Sequence, residues 1–266
     1  MEPGEIARLF EKVRANRPLV HHITNYVTVN DCANITLCAG AAPVMSHSRK
    51  ETAEMVAMAG ALVLNIGTLD TRQVEQMLVA GRKAGELGVP IVLDPVGAGA
   101  TKYRTRTVLR LLKELDIAVL KGNGGEIGSL AGAGGKVRGV DSDGAGGKPE
   151  QIVREYAGRI GTVVAMTGPT DFISDGKRTL RVDNGHPLMG RFSGSGCMAA
   201  SVVGAFAAVA KDRTHTTAAA LAAFCVAGER AAVRFTTPCG VRQAIFDELT
   251  NLTPAELSER ARVRKV

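Results

Sequence analysis

The sequence predicts an α/β protein with a mainly parallel central sheet and helices on both faces. Four short apolar runs, each ending in a polar or glycine-rich turn, carry this prediction: ALVLNIG, IVLDPVGAG, IAVLKGNGGE and TVVAMTGPT. A helical pattern follows at least the first three runs, at intervals of about 30 residues, the length of one strand–helix unit. Continuous apolar strands that alternate with helices are typical of a parallel sheet covered on both sides.

The remaining elements follow from local signals. Pro3 and Glu5 open an amphipathic helix, and the Asp175-Gly176 pair between alternating segments predicts a hairpin. Two alanine-rich apolar stretches, residues 198–210 and 216–228, predict buried helices. We interpret the glycine-rich segment 132–148 as a surface loop inside a single domain of residues 1–266.

Composition excludes several classes of protein. The chain has 266 residues, 45% of them hydrophobic, with 31 glycines and a net charge of +7, which rules out disordered and collagen-like chains. Lysine and arginine are scattered, and we interpret the densest cluster, at residues 260–265, as a solvated helix end. This charge pattern favours a small anionic ligand over nucleic acid. Five cysteines without metal spacing, no signal-peptide core and apolar stretches too short to span a membrane predict a soluble cytoplasmic protein.

Polar residues stand where the predicted strands end. Ligands of open parallel sheets bind outside the carboxyl ends of the strands, so these residues share one edge of the sheet. Any one of them could be an ordinary turn former or helix cap. Together they supply a carboxylate, a cation, amides and a hydroxyl, and they predict a site made of Asn65, Asp94, Lys121, Asn123, Thr167 and Gly168.

The most specific local motif is FSGSGC, residues 192–197, which runs directly into an apolar helix. Glycines before a helix expose backbone N–H groups at its positive end, which suits a phosphate. We therefore predict an anion hole at Gly194, Ser195, Gly196 and Cys197. The alternative is a tight turn in which Ser195 simply caps the helix. There is no Walker A motif and no GxGxxG, which disfavours a dinucleotide fold.

Cys197, at the start of this helix, is expected to have a lowered thiol pKa. That permits a second interpretation, a cysteine-nucleophile acyltransferase or hydrolase. The base would then be one of the histidines 21, 22, 47, 186 and 215. We rank this chemistry below phosphate chemistry.

Asp94 and Glu126 are the candidate Mg²⁺ ligands. Each closes or follows a glycine-bearing strand end, and Mg²⁺ usually takes one or two carboxylates together with water and substrate phosphates. In the alternative interpretation Glu126 is only a partner of its own helix N-terminus.

Seven segments in this order resemble the hydroxyethylthiazole kinases, a thiamine-salvage family of the ribokinase-like superfamily. They are PLVHHITNYVTVN, GAAPVMSHS, ALVLNIGTL, VLDPVGAGATKYRT, LKGNGGEI, NGHPLM and GSGCMAA. The resemblance implies a ribokinase-like fold and Mg²⁺-dependent transfer of the ATP γ-phosphate to the alcohol of 4-methyl-5-(2-hydroxyethyl)thiazole. It also implies a homotrimer whose active sites lie between subunits, with no nucleic-acid or membrane partner.

Carried over by position, the resemblance implies a role for each site residue. Asn25, Val27 and Met45 would line the thiazole pocket, with Gly194 and Cys197 near the hydroxyl and Cys197 where related sugar kinases place a catalytic Asp. The nucleotide would contact Lys121, Asn123, Thr167 and Gly168, and Mg²⁺ would be organised by Asp94 and Glu126. The chain departs from the family pattern at three places: Lys121 replaces an Arg, Gly124-Gly125 replaces Ala-Ser, and Ser195 replaces a Thr.

Two other functions stay open at this point. One is a kinase of the same superfamily that acts on another small alcohol, such as hydroxymethylpyrimidine. The other is a non-catalytic regulator that binds thiazole or nucleotide. The pocket residues Asn25 and Met45 argue against the first, and the presence of Asp94, Glu126 and Cys197 argues against the second.

Overall fold

The computed structural model describes residues 1–132 and 148–266, so the predicted loop at 132–148 lies almost wholly outside the described residues. The strands are β1 (Leu19–Ile23), β2 (Ala42–Met45), β3 (Ala61–Asn65), β4 (Ile91–Asp94), β5 (Ile117–Asn123), β6 (Val163–Thr167), β7 (Asp171–Ser174), β8 (Thr179–Val182) and β9 (Val263–Lys265).

These strands form one sheet in the order β2-β1-β3-β4-β5-β6-β7-β8-β9. The pairs from β2 to β6 are all parallel, and β7, β8 and β9 extend the sheet with antiparallel pairs. The four predicted apolar runs are β3 to β6, and they are neighbours in that order. The prediction of a mainly parallel sheet is confirmed, as is the hairpin at Asp175-Gly176, which joins β7 to β8.

The helices cover both faces of the sheet. They are α1 (Pro3–Asn16), α2 (Val29–Cys38), α3 (Arg49–Met58), α4 (Thr71–Leu87), α5 (Lys102–Glu114), α6 (Gly124–Ala131), α7 (Pro149–Ile160), α8 (Ser195–Ala207), α9 (Arg213–Arg234), α10 (Pro238–Asn251) and α11 (Pro254–Arg260), with a short 3₁₀ helix at Pro187–Arg191.

Two apolar layers result from the period-two alternation of the strands. Val20 and Val63 point to the layer built by α1, α2 and α8 to α11. Leu62 and Leu64 point to the layer built by α3 to α7. Because both faces are covered, β3 and β4 are buried along their whole length, and this explains why their sequences are continuously apolar.

The alanine-rich helices α8 and α9 lie at the centre of the first layer. Gly204 of α8 approaches the sheet so closely that a Cβ there would be 2.6 Å from the Val63 side chain, which fixes the spacing between helix and sheet. By length and composition α9 would suffice to cross a membrane, but 72% of its most apolar window is buried inside the protein. The small side chains of these two helices therefore serve close internal packing.

The structure corrects two expectations. The basic cluster at 260–265 is not a helix end, because α11 stops at Arg260 and the chain then forms β9, which pairs with β8. Arg264 of β9 forms an ion pair with Asp183 at 3.0 Å. In addition, β5 continues past Lys121 to Asn123, so Lys121 lies inside a strand rather than at its end.

Candidate active site

A cavity of about 710 Å³ opens at the carboxyl ends of the parallel strands, a volume typical of small-molecule sites. The ends of β4, β5 and β6, the loop after β1 and the start of α8 all contribute to it. The sequence-predicted residues that line it are Asn25, Val27, Asp94, Lys121, Asn123, Glu126, Thr167, Gly168, Gly194, Ser195, Gly196 and Cys197. The structure thus brings together twelve residues that come from five segments of the chain.

The glycine loop delivers the N-terminus of α8 to the cavity wall. Gly194 is the N-cap with φ of 98°, a left-handed conformation that favours glycine, and a Cβ there would be 2.7 Å from Thr28 Cγ2. The N–H of Met198 donates to the Gly194 carbonyl at 2.9 Å, so the amides of residues 195–197 precede the first intrahelical bond. Ser195 is already helical and does not cap the helix, so the capping alternative is wrong, and this geometry suits an anion.

Asp94 ends β4 and is 1% exposed. The Asn65 side chain donates to its Oδ2 at 2.9 Å. Burial raises the pKa of the Asp94 carboxyl to about 6, with Glu126 adding to the rise and Lys121 and Asn65 opposing it. The carboxylate is therefore short of positive charge and solvation, and a cation placed beside it would be stabilised.

Lys121 is the basic partner of this carboxylate. Its side chain is 3% exposed, and Nζ lies 3.9 Å from Asp94 Oδ1 and donates to the Gly196 carbonyl at 2.9 Å. Burial lowers the pKa of the Lys121 ammonium, but Asp94 and Glu126 outweigh burial and the net shift is upward. The ammonium therefore stays charged between the sheet edge and α8.

Glu126 and Asn123 form a capping box at the start of α6. The two oxygens of Glu126 accept from the backbone N–H groups of Gly97 and Asn123, each at 2.8 Å, while Asn123 Oδ1 accepts from the Glu126 N–H at 2.9 Å. Glu126 is thus a partner of its own helix N-terminus, and the residue lines the cavity as well. These contacts hold a carboxylate at a fixed position on the wall.

Asp94 and Glu126 are the carboxylates proposed from the sequence to hold a magnesium ion. No cluster of three or more His, Cys, Asp or Glu side chains with metal geometry exists in residues 1–132 and 148–266. Mg²⁺ usually binds to one or two protein carboxylates and completes its coordination with water and substrate phosphates. Two carboxylates are therefore sufficient for an ion that binds together with a triphosphate. Burial raises the pKa of Asp94 to about 6, and a cation beside this buried carboxylate would stabilise its charged form.

Cys197 lies in the first turn of α8 and lines the cavity. Asn65 and Asn25 donate to Sγ from their side-chain amides at 3.3 and 3.4 Å. Burial raises the pKa of this thiol, and the negative charge of Asp94 raises it further, against hydrogen bonding from Thr28 and the charge of Lys121. The predicted lowering of the pKa is wrong, because desolvation and a carboxylate outweigh the helix N-terminus.

In the part of the chain that the structure describes, no histidine forms a hydrogen bond with Cys197. His22, for example, lies near the Val20 carbonyl and the Thr36 hydroxyl instead. His186 lines the same cavity, but its Nδ1 accepts from the Leu188 N–H at 3.3 Å, so in the described residues the cysteine-nucleophile interpretation has no base hydrogen-bonded to the thiol.

The pocket residues proposed for the thiazole lie on the β1 and β2 side. Asn25 is 3% exposed and Val27 is 67% exposed, and both line the cavity. Met45 is not among the lining residues, since it ends the outer strand β2, paired with His22 of β1. Next to it, the rings of Tyr26 and His47 are stacked at 6.0 Å.

The nucleotide residues predicted on β6 lie on the opposite wall. Thr167 ends β6, and its hydroxyl donates to the Gly122 carbonyl at 3.3 Å. Gly168 follows, and its N–H donates to Asp171 Oδ1 at 3.0 Å. Burial raises the pKa of the Asp171 carboxyl to about 7, against the Gly168 bond and the charge of Lys121.

Sequence analysis missed Asp171 and the apolar wall of the cavity. Asp171 lies just before the predicted hairpin, and the Gly-Pro-Thr turn that precedes it is the signal that could have identified it. The apolar wall is assembled from the 3₁₀ helix and α9, which are distant along the chain. It consists of Pro187, Met189, Phe192, Leu221, Phe224 and Cys225.

Comparisons with known proteins agree with this geometry. The family model described as "Hydroxyethylthiazole kinase family" matches residues 10–255. The chain is 60% identical to the hydroxyethylthiazole kinase of Methanocella arvoryzae, covering 99% of each chain. It is 61% identical to that of Methanoculleus marisnigri, covering 97% of this chain and 93% of the relative.

Solved structures show the same fold. The hydroxyethylthiazole kinase of Pyrococcus horikoshii has a TM-score of 0.90 at 43% identity and covers 98% of both chains. A pyridoxal kinase from Staphylococcus aureus, solved with ADP, has a TM-score of 0.58 at 14% identity, covering 80% of this chain and 88% of the other, and this likeness concerns the fold alone. On the strength of the family match and the identity to full-length relatives, the chain belongs to the hydroxyethylthiazole kinase family.

Proposed function

We propose that the protein transfers the γ-phosphate of ATP, with Mg²⁺, to the primary alcohol of 4-methyl-5-(2-hydroxyethyl)thiazole, giving the thiazole phosphate of thiamine synthesis. The observation that carries the proposal is the meeting of the buried Lys121–Asp94 pair with the N-terminus of α8 in one cavity. This combination supplies positive charge and free amides, and phosphoryl transfer requires positioning and charge neutralisation above all.

The amides of Ser195, Gly196 and Cys197 are proposed to hold the transferring phosphoryl group. Lys121 stands beside them, since its Nζ donates to the Gly196 carbonyl at 2.9 Å, and it would neutralise phosphate charge. Asn123, Thr167 and Gly168 would hold the nucleotide from the β5 and β6 side. Lysine supplies the charge but lacks the planar two-pronged contact of the Arg that the family pattern has here.

Asp94 and Glu126 are proposed to hold Mg²⁺ together with the phosphates and water. When bound, the ion would neutralise the developing phosphate charge and help align the phosphoryl group. Asp94 offers a buried carboxylate whose pKa is raised to about 6 by burial, and Glu126 offers a carboxylate fixed by two backbone N–H groups.

The thiazole alcohol is proposed to lie near Asn25, Val27 and Gly194, with its hydroxyl at Cys197. The hydroxyl oxygen forms a bond to the γ-phosphorus, the bond to the ADP oxygen breaks, and the hydroxyl proton is released. The raised pKa of Cys197 keeps the thiol neutral at pH 7. It would therefore orient the hydroxyl, and a loose transition state makes little demand on a strong base.

We also propose a homotrimer in which a second subunit completes the thiazole pocket. Met45 lies on the outer strand away from the cavity, so the role assigned to it requires a neighbouring chain. Val27, which lines the cavity, is 67% exposed and its neighbour Tyr26 is 61% exposed, as apolar residues that a partner subunit covers would be. Sedimentation analysis would show about 83 kDa, three chains of 27.8 kDa. A cytoplasmic location accords with five free cysteines.

The proposal is tested by incubating the purified protein with Mg²⁺-ATP and the thiazole alcohol and following the products by mass. We expect thiazole phosphate and ADP in equal amounts, and no product without Mg²⁺. Turnover of hydroxymethylpyrimidine in place of the thiazole would keep the phosphate site but overturn the pocket assignment. Binding of both ligands by calorimetry without ADP formation would instead indicate a regulator.

A further inference from the structure

Asn65, the last residue of β3, is 1% exposed and stands behind the cavity wall rather than on it. Its Oδ1 accepts from the Gly67 N–H and from Asn25 Nδ2, each at 2.9 Å. Its Nδ2 donates to Asp94 Oδ2 at 2.9 Å and to Cys197 Sγ at 3.3 Å. Both donors and both acceptor sites of the amide are thus in use.

The orientation of this amide follows from its partners. The Gly67 N–H can only donate and the ionised Asp94 carboxylate can only accept, so Oδ1 must face Gly67 and Nδ2 must face Asp94. The remaining N–H of Nδ2 then points at Cys197 Sγ. A single neutral side chain thereby joins the carboxylate at the end of β4 to the thiol at the start of α8.

The neutrality of the side chain is important. A carboxylate at position 65 would add negative charge beside Asp94, whose pKa burial already raises to about 6. An apolar side chain would leave Asp94 Oδ2 and Cys197 Sγ without this donor in a buried place. An amide supplies two donors and two acceptors and adds no charge.

We propose that Asn65 is a positioning residue for phosphoryl transfer, which acts by holding the Asp94 carboxylate and the Cys197 thiol at a fixed separation. It does not contact substrate, because it is not part of the cavity lining. The inference rests on the proposed kinase function and deepens it. Asn25 keeps its bonds with Thr28 and Cys197 when this amide is removed, so kcat should fall while the KM of both substrates stays nearly unchanged.

The chain offers a matched control at the opposite edge of the sheet. Ser174 is fully buried, its hydroxyl donates to the Arg178 carbonyl at 2.7 Å, and it accepts from the Gly176 N–H at 3.1 Å. It pairs with Val164 near the start of β6, away from the cavity. Asn65→Ala and Ser174→Ala each remove a buried side chain that joins several hydrogen bonds.

The experiment compares kcat, both KM values and the thermal midpoint of the two alanine variants with those of the wild type. Both midpoints should fall. The kcat of Asn65→Ala should fall by about 30- to 100-fold with KM within about threefold, since small displacements of reacting groups have effects of this size. The kcat of Ser174→Ala should stay within about twofold, because a distant structural loss leaves the reacting groups in place.

If Asn65→Ala does not fold, Asn65→Leu, which fills the same space, is measured in its place. Either folded variant with wild-type kcat would overturn the inference and leave Asn65 a structural residue. A parallel loss of kcat in Ser174→Ala would overturn it too, because the effect would then be general instability. Absence of product from the wild type would instead refute the proposed function, and the two failures are thus distinct.

Discussion

Lys121→Met is the perturbation with the largest effect that can be worked out from the geometry. Methionine has nearly the length of lysine but no charge. The change leaves Asp94, which is 1% exposed, without its positive neighbour. It also removes the donor to the Gly196 carbonyl, which lies 2.9 Å from Nζ.

The distance between Lys121 Nζ and Asp94 Oδ1 is 3.9 Å, and two unit charges so spaced attract by about 4 kcal/mol at an effective dielectric constant of about 20. Breaking a buried pair by removing one partner typically destabilises a protein by about 3–5 kcal/mol, because a buried charge is left uncompensated. We therefore expect Lys121→Met to lower the free energy of unfolding by about 3 kcal/mol, allowing for the added apolar contact.

The assay is urea unfolding at pH 8, followed by circular dichroism at fixed protein concentration. Lys121→Met combined with Asp94→Asn should recover most of the lost stability, since no unpaired charge then remains. Lys83→Met is the surface control, since Lys83 pairs with Glu86 at 3.0 Å on the exposed face of α4, and such pairs contribute at most about 1 kcal/mol. A single variant as stable as the wild type, or a double variant no better than the single, would refute the reasoning.

Three further predictions concern other parts of the molecule. Gly194→Ala should reduce turnover about 100-fold, because its Cβ would be 2.7 Å from Thr28 Cγ2. Gly85 of α4 faces open space, so Gly85→Ala should stay active, and its free energy of unfolding in a urea titration should rise by about 0.5–1 kcal/mol. His21→Leu should stabilise the protein by about 2 kcal/mol at pH 5 and lose that gain by pH 8 in thermal melts. Burial lowers the pKa of His21 to about 4 despite Glu51, so the unfolded chain takes up a proton between about pH 4 and 6.5 and the folded chain does not. Cys197→Ala should reduce kcat with little change in thiazole affinity by calorimetry, and an unchanged kcat would reduce the thiol to a wall residue.

The sheet could be predicted from the sequence because its signal is local and repeated. Continuous apolar runs at even spacing are dictated by burial on both faces, and the run ends from Asn65 to Thr167 mark the edge where the cavity forms. The role of Glu126 as a partner of its own helix N-terminus could also be predicted, and the structure adds that Asn123, three residues earlier, completes a capping box.

The features that could not be predicted from the sequence depend on contacts between distant segments. The three residues of β9 carry charged side chains and have no strand pattern, and they become a strand through pairing with β8, some eighty residues earlier in the chain. The pKa of Cys197 depends on its burial and on Asp94, which lies on another element of the fold. The sequence shows only the helix N-terminus beside the thiol, which predicts a lowered pKa, whereas the pKa of Cys197 is raised.

The same nonlocal charges support the proposal that the nucleotide binds with a divalent cation. Its charged side chains, in the described parts of the chain, include the carboxylates of Asp94, Glu126 and Asp171 and the ammonium of Lys121. Burial raises the pKa of Asp94 to about 6 and that of Asp171 to about 7, so both acids already lack solvation. A triphosphate alone would add negative charge to this wall, and the amides of α8 with one lysine are too little to offset it. Under the proposed function we therefore expect the nucleotide to enter together with a divalent cation, and the carboxylates of Asp94 and Glu126 to favour the metal complex over free ATP.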